Sequence, residues 1–161
     1  DATPTADATI FAKWNEDSDA ELREYRTLLT VTNGYPRMEL YDESANAFIG
    51  REDQTALTVS TWTLLTFTYD GSGVNSGIKI FKDDAQVDDA DSSSGTYVAM
   101  ENLGSTVPGM IAHSLSAAAT PVAEQFWAGG MAFIIVYRKE LVAVEIEAAK
   151  SYVAAFTGES L

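Results

Sequence analysis

The stretch Thr61–Asp84, TWTLLTFTYDGSGVNSGIKIFKDD, constrains this chain more than any other. From Trp62 to Tyr69 every residue is Trp, Thr, Leu, Phe or Tyr, the aromatic and β-branched types that fit a pleated surface. Successive strand residues point to opposite faces, so Trp62, Leu64, Thr66 and Thr68 share one face and Thr63, Leu65, Phe67 and Tyr69 the other. Both faces are largely apolar, which predicts a central strand covered on both sides. Asp70–Gly77 then supplies three glycines among Asp, Asn and Ser, a turn composition. Ile78-Lys79-Ile80-Phe81-Lys82 alternates apolar with basic residues, the pattern of a half-exposed strand. The unit is a long antiparallel hairpin with an acidic, glycine-rich tip.

The flanking segments extend the same plan. Ala8–Trp14, Tyr25–Thr32, Arg37–Tyr41 and Ala47–Arg51 read as four short strands joined by turn residues, and Asn33-Gly34 is a strong hairpin signal. Strands at such regular spacing, with no intervening helical pattern, predict an all-β sandwich or barrel rather than a βαβ plan. Residues 83–95 are acidic and small, and are expected to be exposed after a strand end. Thr96–Met100 and Gly109–His113 are further strand candidates, and Ser114–Glu124 is expected to be a loop. Met131–Tyr137, apolar on both faces, predicts a buried strand. Arg138–Phe156 carries Val142, Ile146, Ala149, Val153 and Phe156 on one helical stripe, with Glu145, Glu147 and Lys150 facing away. Trp62, Leu64, Phe67, Ile80, Phe133 and Ile135 are expected to share one core, with Trp14 also buried.

At 161 residues the chain is read as one domain, with residues 1–7 a linker. Its 10 Lys and Arg against 24 Asp and Glu give a net charge of −14. A field of that sign repels phosphate backbones and anionic lipid, so neither nucleic acid nor a membrane surface is an expected partner. There is no cysteine, which excludes disulfides and thiolate metal sites. The longest apolar run is the seven residues Met131–Tyr137, far short of a membrane span.

The order of parts resembles the laminin G-like, concanavalin A-like jelly-roll domains of bacterial, planctomycete and phage proteins. The residues that carry the resemblance are Ile10–Trp14, Tyr41-Asp42 with Ile49-Gly50, Trp62–Ser72 and Gly77–Phe81. To these are added Phe126–Gly130 and the Tyr137–Leu141 entry into a helix holding Glu145-Ile146. The match spans about residues 8–154, with the W-T-x-L-x-F-T-Y-D-G-S block its most specific part. It implies a two-sheet antiparallel jelly-roll sandwich with one C-terminal helix. Two departures stand out. Lys82-Asp83-Asp84-Ala85 replaces the usual Asn-Gly turn, and the family's first strand, upstream of Ile10, is missing. A sheet lacking that strand leaves a bare edge beside Ala8–Trp14, so a retained upstream piece, a neighbouring copy or a partner chain is expected to supply it.

Related sandwiches include β-glucanases, which need two carboxylates on one strand about 5–5.5 Å apart. Here Glu145 and Glu147 fall on a helix, where a two-residue step turns the side chains apart, and Glu39 stands alone on its strand. His113, the single histidine, has no serine or cysteine motif beside it, and its ordinary role is structural. The chain is therefore not read as an enzyme. Calcium takes six to eight oxygens from flexible loops. Asn15, Asp17, Asp19 and Glu21 offer oxygens at alternate positions in one loop, and Asp70, Ser72 and Asn75 do so at the hairpin tip. Solvated acidic turns on so acidic a chain have the same composition. Among aromatic residues, Tyr35 in its turn and Trp127 beside Gly129-Gly130 are the candidates for stacking on a sugar, against the ordinary alternative of packing at a strand edge. The expected function is a non-catalytic recognition or adhesion module, carbohydrate- or surface-binding, within a larger extracellular or virion protein. The rival is a structural coat, decoration or assembly subunit that uses the sandwich as a scaffold.

Overall fold

The computed structural model describes residues 6–16, 22–104, 106–115, 123–132, 134–137 and 139–158. Among these residues eleven strands form two sheets, and one α-helix follows towards the C-terminal end. Four early strands form where alternation and turns predict them: β1 (Ala8–Asn15), β2 (Leu22–Leu29), β3 (Pro36–Asp42) and β4 (Ala47–Glu52). Between β2 and β3 the chain reverses through Asn33-Gly34, with Gly34 at φ 67° and its N–H donating to Thr30 O at 2.8 Å. The predicted hairpin is present as β5 (Leu65–Tyr69) and β6 (Ile78–Lys82), in register from Leu65↔Lys82 to Tyr69↔Ile78. At its tip Gly71 and Gly73 take φ of 82° and 79°, which L side chains rarely adopt.

The acidic stretch after the hairpin is mostly exposed as expected, yet it contains two strands. β7 (Ala85–Gln86) pairs with β6, and β8 (Ala90–Ser94) pairs with β4 from Phe48 to Glu52. Its serines carry no apolar alternation, so only the open edge of β4 marks it as a strand. Short strands β9 (Met110–Ile111), β10 (Ser114–Leu115) and β11 (Ala123–Glu124) complete the large sheet, in the order β11-β10-β1-β2-β3-β4-β8 with β9 also on β1. The β1–β10 pair is parallel, so the large sheet is mixed rather than purely antiparallel. Thr96–Met100 forms no strand.

The small sheet has the order β5-β6-β7. The two sheets meet through Leu40 and Ile49 on one side and Ile78 on the other, with Tyr25, Met38, Tyr69 and Tyr97 packed around them. Helix α1 (Ala143–Thr157) opens with Glu145 accepting the Val142 N–H at 3.0 Å and closes on Gly158 at φ 75°. Ile146 and Val153 are buried, as the stripe predicts. Val142 and Phe156 at its two ends are exposed instead, Val142 because the helix starts only at Ala143, five residues later than Arg138.

Three expectations are corrected. Among the described residues only β6 pairs with the strand at 65–69, which makes it an edge strand; Trp62 lies before it and is 53% exposed. The expected common core is therefore broken up: Ile80 is buried, Leu64 and Phe67 half-buried, Ile135 exposed, and Phe133 outside the described residues. Of Met131–Tyr137, the described residues form no strand, and Val136 and Tyr137 are exposed. Beside β1, on the side away from β2, short strands of the same chain pair with part of its length. β9 pairs with it at Phe11↔Ile111 and Ala12↔Met110, and β10 at Asn15↔Leu115.

Candidate functional site

The face of the large sheet turned away from the small sheet carries a dense polar and aromatic cluster. Alternation on β3 sends Met38 and Leu40 toward the small sheet and Arg37, Glu39 and Tyr41 to the opposite face. A register shift on β2 adds two arginines. Lys13 pairs with Tyr25 and the next residue, Trp14, with Arg23, so Glu24 is the unmatched residue of a bulge. The bulge brings Arg23 and Arg26, three apart in sequence, to the same face as Trp14 and Tyr41.

There the Arg23 guanidinium lies 3.8 Å from the Tyr41 ring centroid and the Arg26 guanidinium 4.2 Å from that of Trp14. The Trp14 and Tyr41 rings meet edge to face at 5.4 Å, and Phe48 stacks on Tyr41 at 6.0 Å. Carboxylates fix the arginines from the side. Arg23 donates to Glu43 through Nε at 3.0 Å and Nη2 at 2.8 Å, and Arg26 Nε donates to Glu39 Oε2 at 2.6 Å and Nη1 to Glu16 Oε1 at 3.4 Å. Arg37 continues the ladder, bonding Glu39 Oε1 at 3.2 Å and Glu52 Oε2 at 2.6 Å. Burial works against the Arg37 charge, but its bonds with Glu52 and Glu39 outweigh that and hold its pKa above the usual value. Trp14 Nε1 donates to Glu16 Oε1 at 2.8 Å, and the Tyr41 hydroxyl to Asn46 Oδ1 at 2.6 Å. Gly50 faces Glu39 across β3–β4, where a Cβ would sit 2.8 Å from Met38 O and 3.2 Å from Glu39 Cγ. Glycine there lets the carboxylate lie down on the sheet.

Between Trp14, Arg23, Arg26, Glu39, Asn46 and Ser94 is a cavity of about 260 Å³. Each carboxylate around it is committed to a guanidinium, and the Trp14 and Tyr41 rings lie under the arginines. What the site offers a ligand is a lattice of alternating N–H donors and carboxylate acceptors, held in place by stacking and ion pairs. At the sheet margin the Glu124 carboxyl is held above the usual range by burial and by Glu16, with Arg26 opposing.

The candidate residues named from sequence fall elsewhere. Tyr35 is half-buried in the β2–β3 turn rather than exposed, its N–H bonded to Thr30 Oγ1 at 3.1 Å. Trp127 is half-buried, and its Nε1 is buried without a hydrogen-bond partner. Asn15 is in β1, opposite Leu22 and Leu115, while Asp17, Asp19 and Glu21 lie outside the described residues. At the hairpin tip Asp70 and Ser72 do converge: both side-chain oxygens lie over the Gly77 Cα, 2.2 Å from where a Cβ would be. The Asp70 Oδ1 accepts the Ser72 N–H at 2.8 Å, and bonds from Ser72 hold the Asp70 pKa below the ordinary range. Asn75 Oδ1 is buried nearby without a partner. Among the described residues no three His, Cys, Asp or Glu side chains gather about one point. His113 Nδ1 bonds Ile111 O at 3.0 Å beside Phe126, a structural arrangement.

Sequence reasoning put Trp14 in the core and left Glu39 as a lone acid. The R-x-E-x-Y alternation of Arg37, Glu39 and Tyr41 was the signal that could have marked the face. Comparison with known proteins finds no match for this chain among protein-family models, curated proteins or solved structures.

Proposed function

We propose that this is a non-catalytic recognition module, a jelly-roll sandwich of laminin G-like type that binds a neutral carbohydrate on the outer face of its large sheet. It would serve within a larger extracellular or virion surface protein. The observation that carries this reading is the Arg23–Arg26–Glu39 lattice over Trp14 and Tyr41. A sugar hydroxyl donates and accepts at once, and an adjoining guanidinium and carboxylate meet both demands. Three arginines (23, 26 and 37) against four glutamates (16, 39, 43 and 52), on a chain of net charge −14, disfavour an anionic ligand. The test is a neutral-glycan array followed by calorimetry on the hits. Ser94→Trp fills the exposed rim of the cavity without touching the ion pairs. It should abolish binding while leaving the unliganded melting temperature in place. Absence of any neutral glycan ligand, or binding indifferent to Ser94→Trp, sinks the reading.

One observation favours the alternative of a structural assembly subunit. Val144, Tyr152 and Phe156 stand on steps of eight and four along α1, and all three are exposed, an apolar stripe that a monomer rarely leaves open. Stoichiometric co-purification with a particle, lost on Phe156→Glu, would favour that role.

A further inference from the structure

One end of the outer-face cavity differs chemically from the Arg–Glu lattice beside it. Tyr41, Phe48 and Ser94 form a row across β3, β4 and β8, each directly opposite the next and therefore on the same face. Phe48 gives one ring face to Tyr41, at an interplanar angle of 10°. It is only half-buried, and its remaining surface lines the cavity. Asn46 stands at the end of the row, in the turn between β3 and β4, with φ 46°. Few side chains adopt that conformation, and asparagine is among those that tolerate it best. After Ser94 the chain closes on the same turn. At Gly95, φ 72°, a Cβ would lie 2.8 Å from Ala47 Cβ and 3.2 Å from Asn46 O, so glycine there lets the end of β8 approach Asn46. Asn46, Phe48 and Ser94 thus form an uncharged corner of the cavity.

The Asn46 side chain is fixed as a donor. Arg23 Nη2, which can only donate, lies 3.3 Å from its Oδ1, and the Tyr41 hydroxyl lies 2.6 Å from the same atom. The amide atom set against a guanidinium must be the oxygen, so the NH2 group is the one left over. Among the described residues Asn46 Nδ2 and Ser94 Oγ make no hydrogen bond, and both residues are exposed on the cavity rim. The complement of this corner is a pure acceptor for Asn46, a small apolar group for Phe48 and a donor for Ser94. A sugar hydroxyl satisfies the Arg–Glu lattice but leaves the Phe48 ring uncovered. An acetamido group carries all three parts in one plane: a carbonyl oxygen, a methyl and an N–H.

We propose that the ligand is a neutral acetamido sugar, with its acetamido group on Asn46, Phe48 and Ser94 and its hydroxyls on the Arg–Glu lattice. The carbonyl oxygen accepts from Asn46 Nδ2, the methyl packs on Phe48, and the N–H donates to Ser94 Oγ. This inference rests on the carbohydrate reading and narrows it to a ligand class.

Calorimetry on the intact chain tests it, with N-acetylglucosamine and N-acetylgalactosamine oligosaccharides beside glucose and galactose oligosaccharides of the same linkage. At least one acetylated sugar should bind about tenfold or more tightly than its plain counterpart, which leaves the Asn46 donor unpaired. Asn46→Asp is isosteric, keeps an oxygen for Arg23 and Tyr41, and turns the free donor into an acceptor. It should erase the advantage, bringing the two affinities within about twofold, at an undiminished melting temperature. Ser94→Ala, which removes only the acceptor for the N–H, should lower the advantage by about threefold. Acetylated and plain sugars that bind alike, with Ser94→Trp still abolishing both, overturn this inference and leave the carbohydrate reading standing. A preference that survives both Asn46→Asp and Ser94→Ala also overturns it. Binding by none of the four overturns it too, and the neutral-glycan array then decides the carbohydrate reading separately. An acetyl-lysine peptide that binds more tightly than the sugars overturns it as well, by placing the acetamido group on a protein.

Discussion

Replacing Trp14 by alanine tests the packing beneath the arginine lattice. The Trp14 side chain is 2% exposed and sits against Ala12 and Tyr41, with the Arg26 guanidinium over its ring. Truncating a buried Trp to Ala costs about 3–5 kcal/mol through lost transfer energy and the cavity left behind. Loss of the edge-to-face contact with Tyr41 adds about 0.5–1.5 kcal/mol, and loss of the Arg26 stack a similar amount. These overlap with the burial figure and do not sum, so about 4 kcal/mol is the working value, a large part of a domain stability of about 5–15 kcal/mol. In urea, with a slope of about 2 kcal/mol/M, the midpoint should fall by about 2 M. Trp14→Phe keeps a ring beneath Arg26 and loses the Nε1 bond to Glu16, whose side chain is partly exposed, so it should cost only about 1–2 kcal/mol. Equilibrium urea unfolding followed by far-UV circular dichroism measures both. A Trp14→Ala midpoint within about 0.5 M of the parent, at unchanged slope, would show that the ring is not packed and that the lattice above it is not held as described.

Ile146→Asp places an unpaired charge among buried groups under α1 and should unfold or severely weaken the domain, whereas Glu147→Ala on the exposed side should leave the melting temperature within a degree or two of the parent; equal tolerance would show that the helix is not docked. The Asp42 carboxylate accepts from Ser44 Oγ and from the N–H groups of Val98, Ala99 and Ala45, which together hold its pKa below the ordinary value. Because the folded-state pKa is lowered, the stabilisation is present above the unfolded value and is lost as pH falls through the folded one; Asp42→Asn should flatten that acid limb, and an unchanged limb refutes it. Calcium at the hairpin tip is proposed on the converging Asp70 and Ser72 oxygens: millimolar calcium should raise the melting temperature, EDTA reverse it and Asp70→Ala abolish it, and a melt indifferent to all three retires the site.

Much of the sheet architecture is local in origin. β1 to β4 and the β5–β6 hairpin form where alternation and Gly, Asn and Asp punctuation place them, because each strand needs only one apolar face and each turn only a few permissive residues. The same holds for Ile146 and Val153 on α1, whose spacing alone puts them on one stripe.

Pairing partners, by contrast, are chosen between segments far apart in the chain, and those are the points that only the tertiary structure decided. β8 is a strand because β4 offers it an edge, although Asp91–Ser94 carries no strand signal of its own. Trp62–Tyr69 has the composition of a central strand, yet β5 is an edge, since composition records what a face can bury and not which strand lies beside it. The candidate site depends on the same kind of information. Trp14, Glu39 and Tyr41 were visible as a buried ring, a lone acid and a strand residue. It took a single unmatched residue, Glu24, to bring Arg23 and Arg26 together over Trp14 and Tyr41, and a bulge arises from the pairing of two strands, which neither strand's sequence contains.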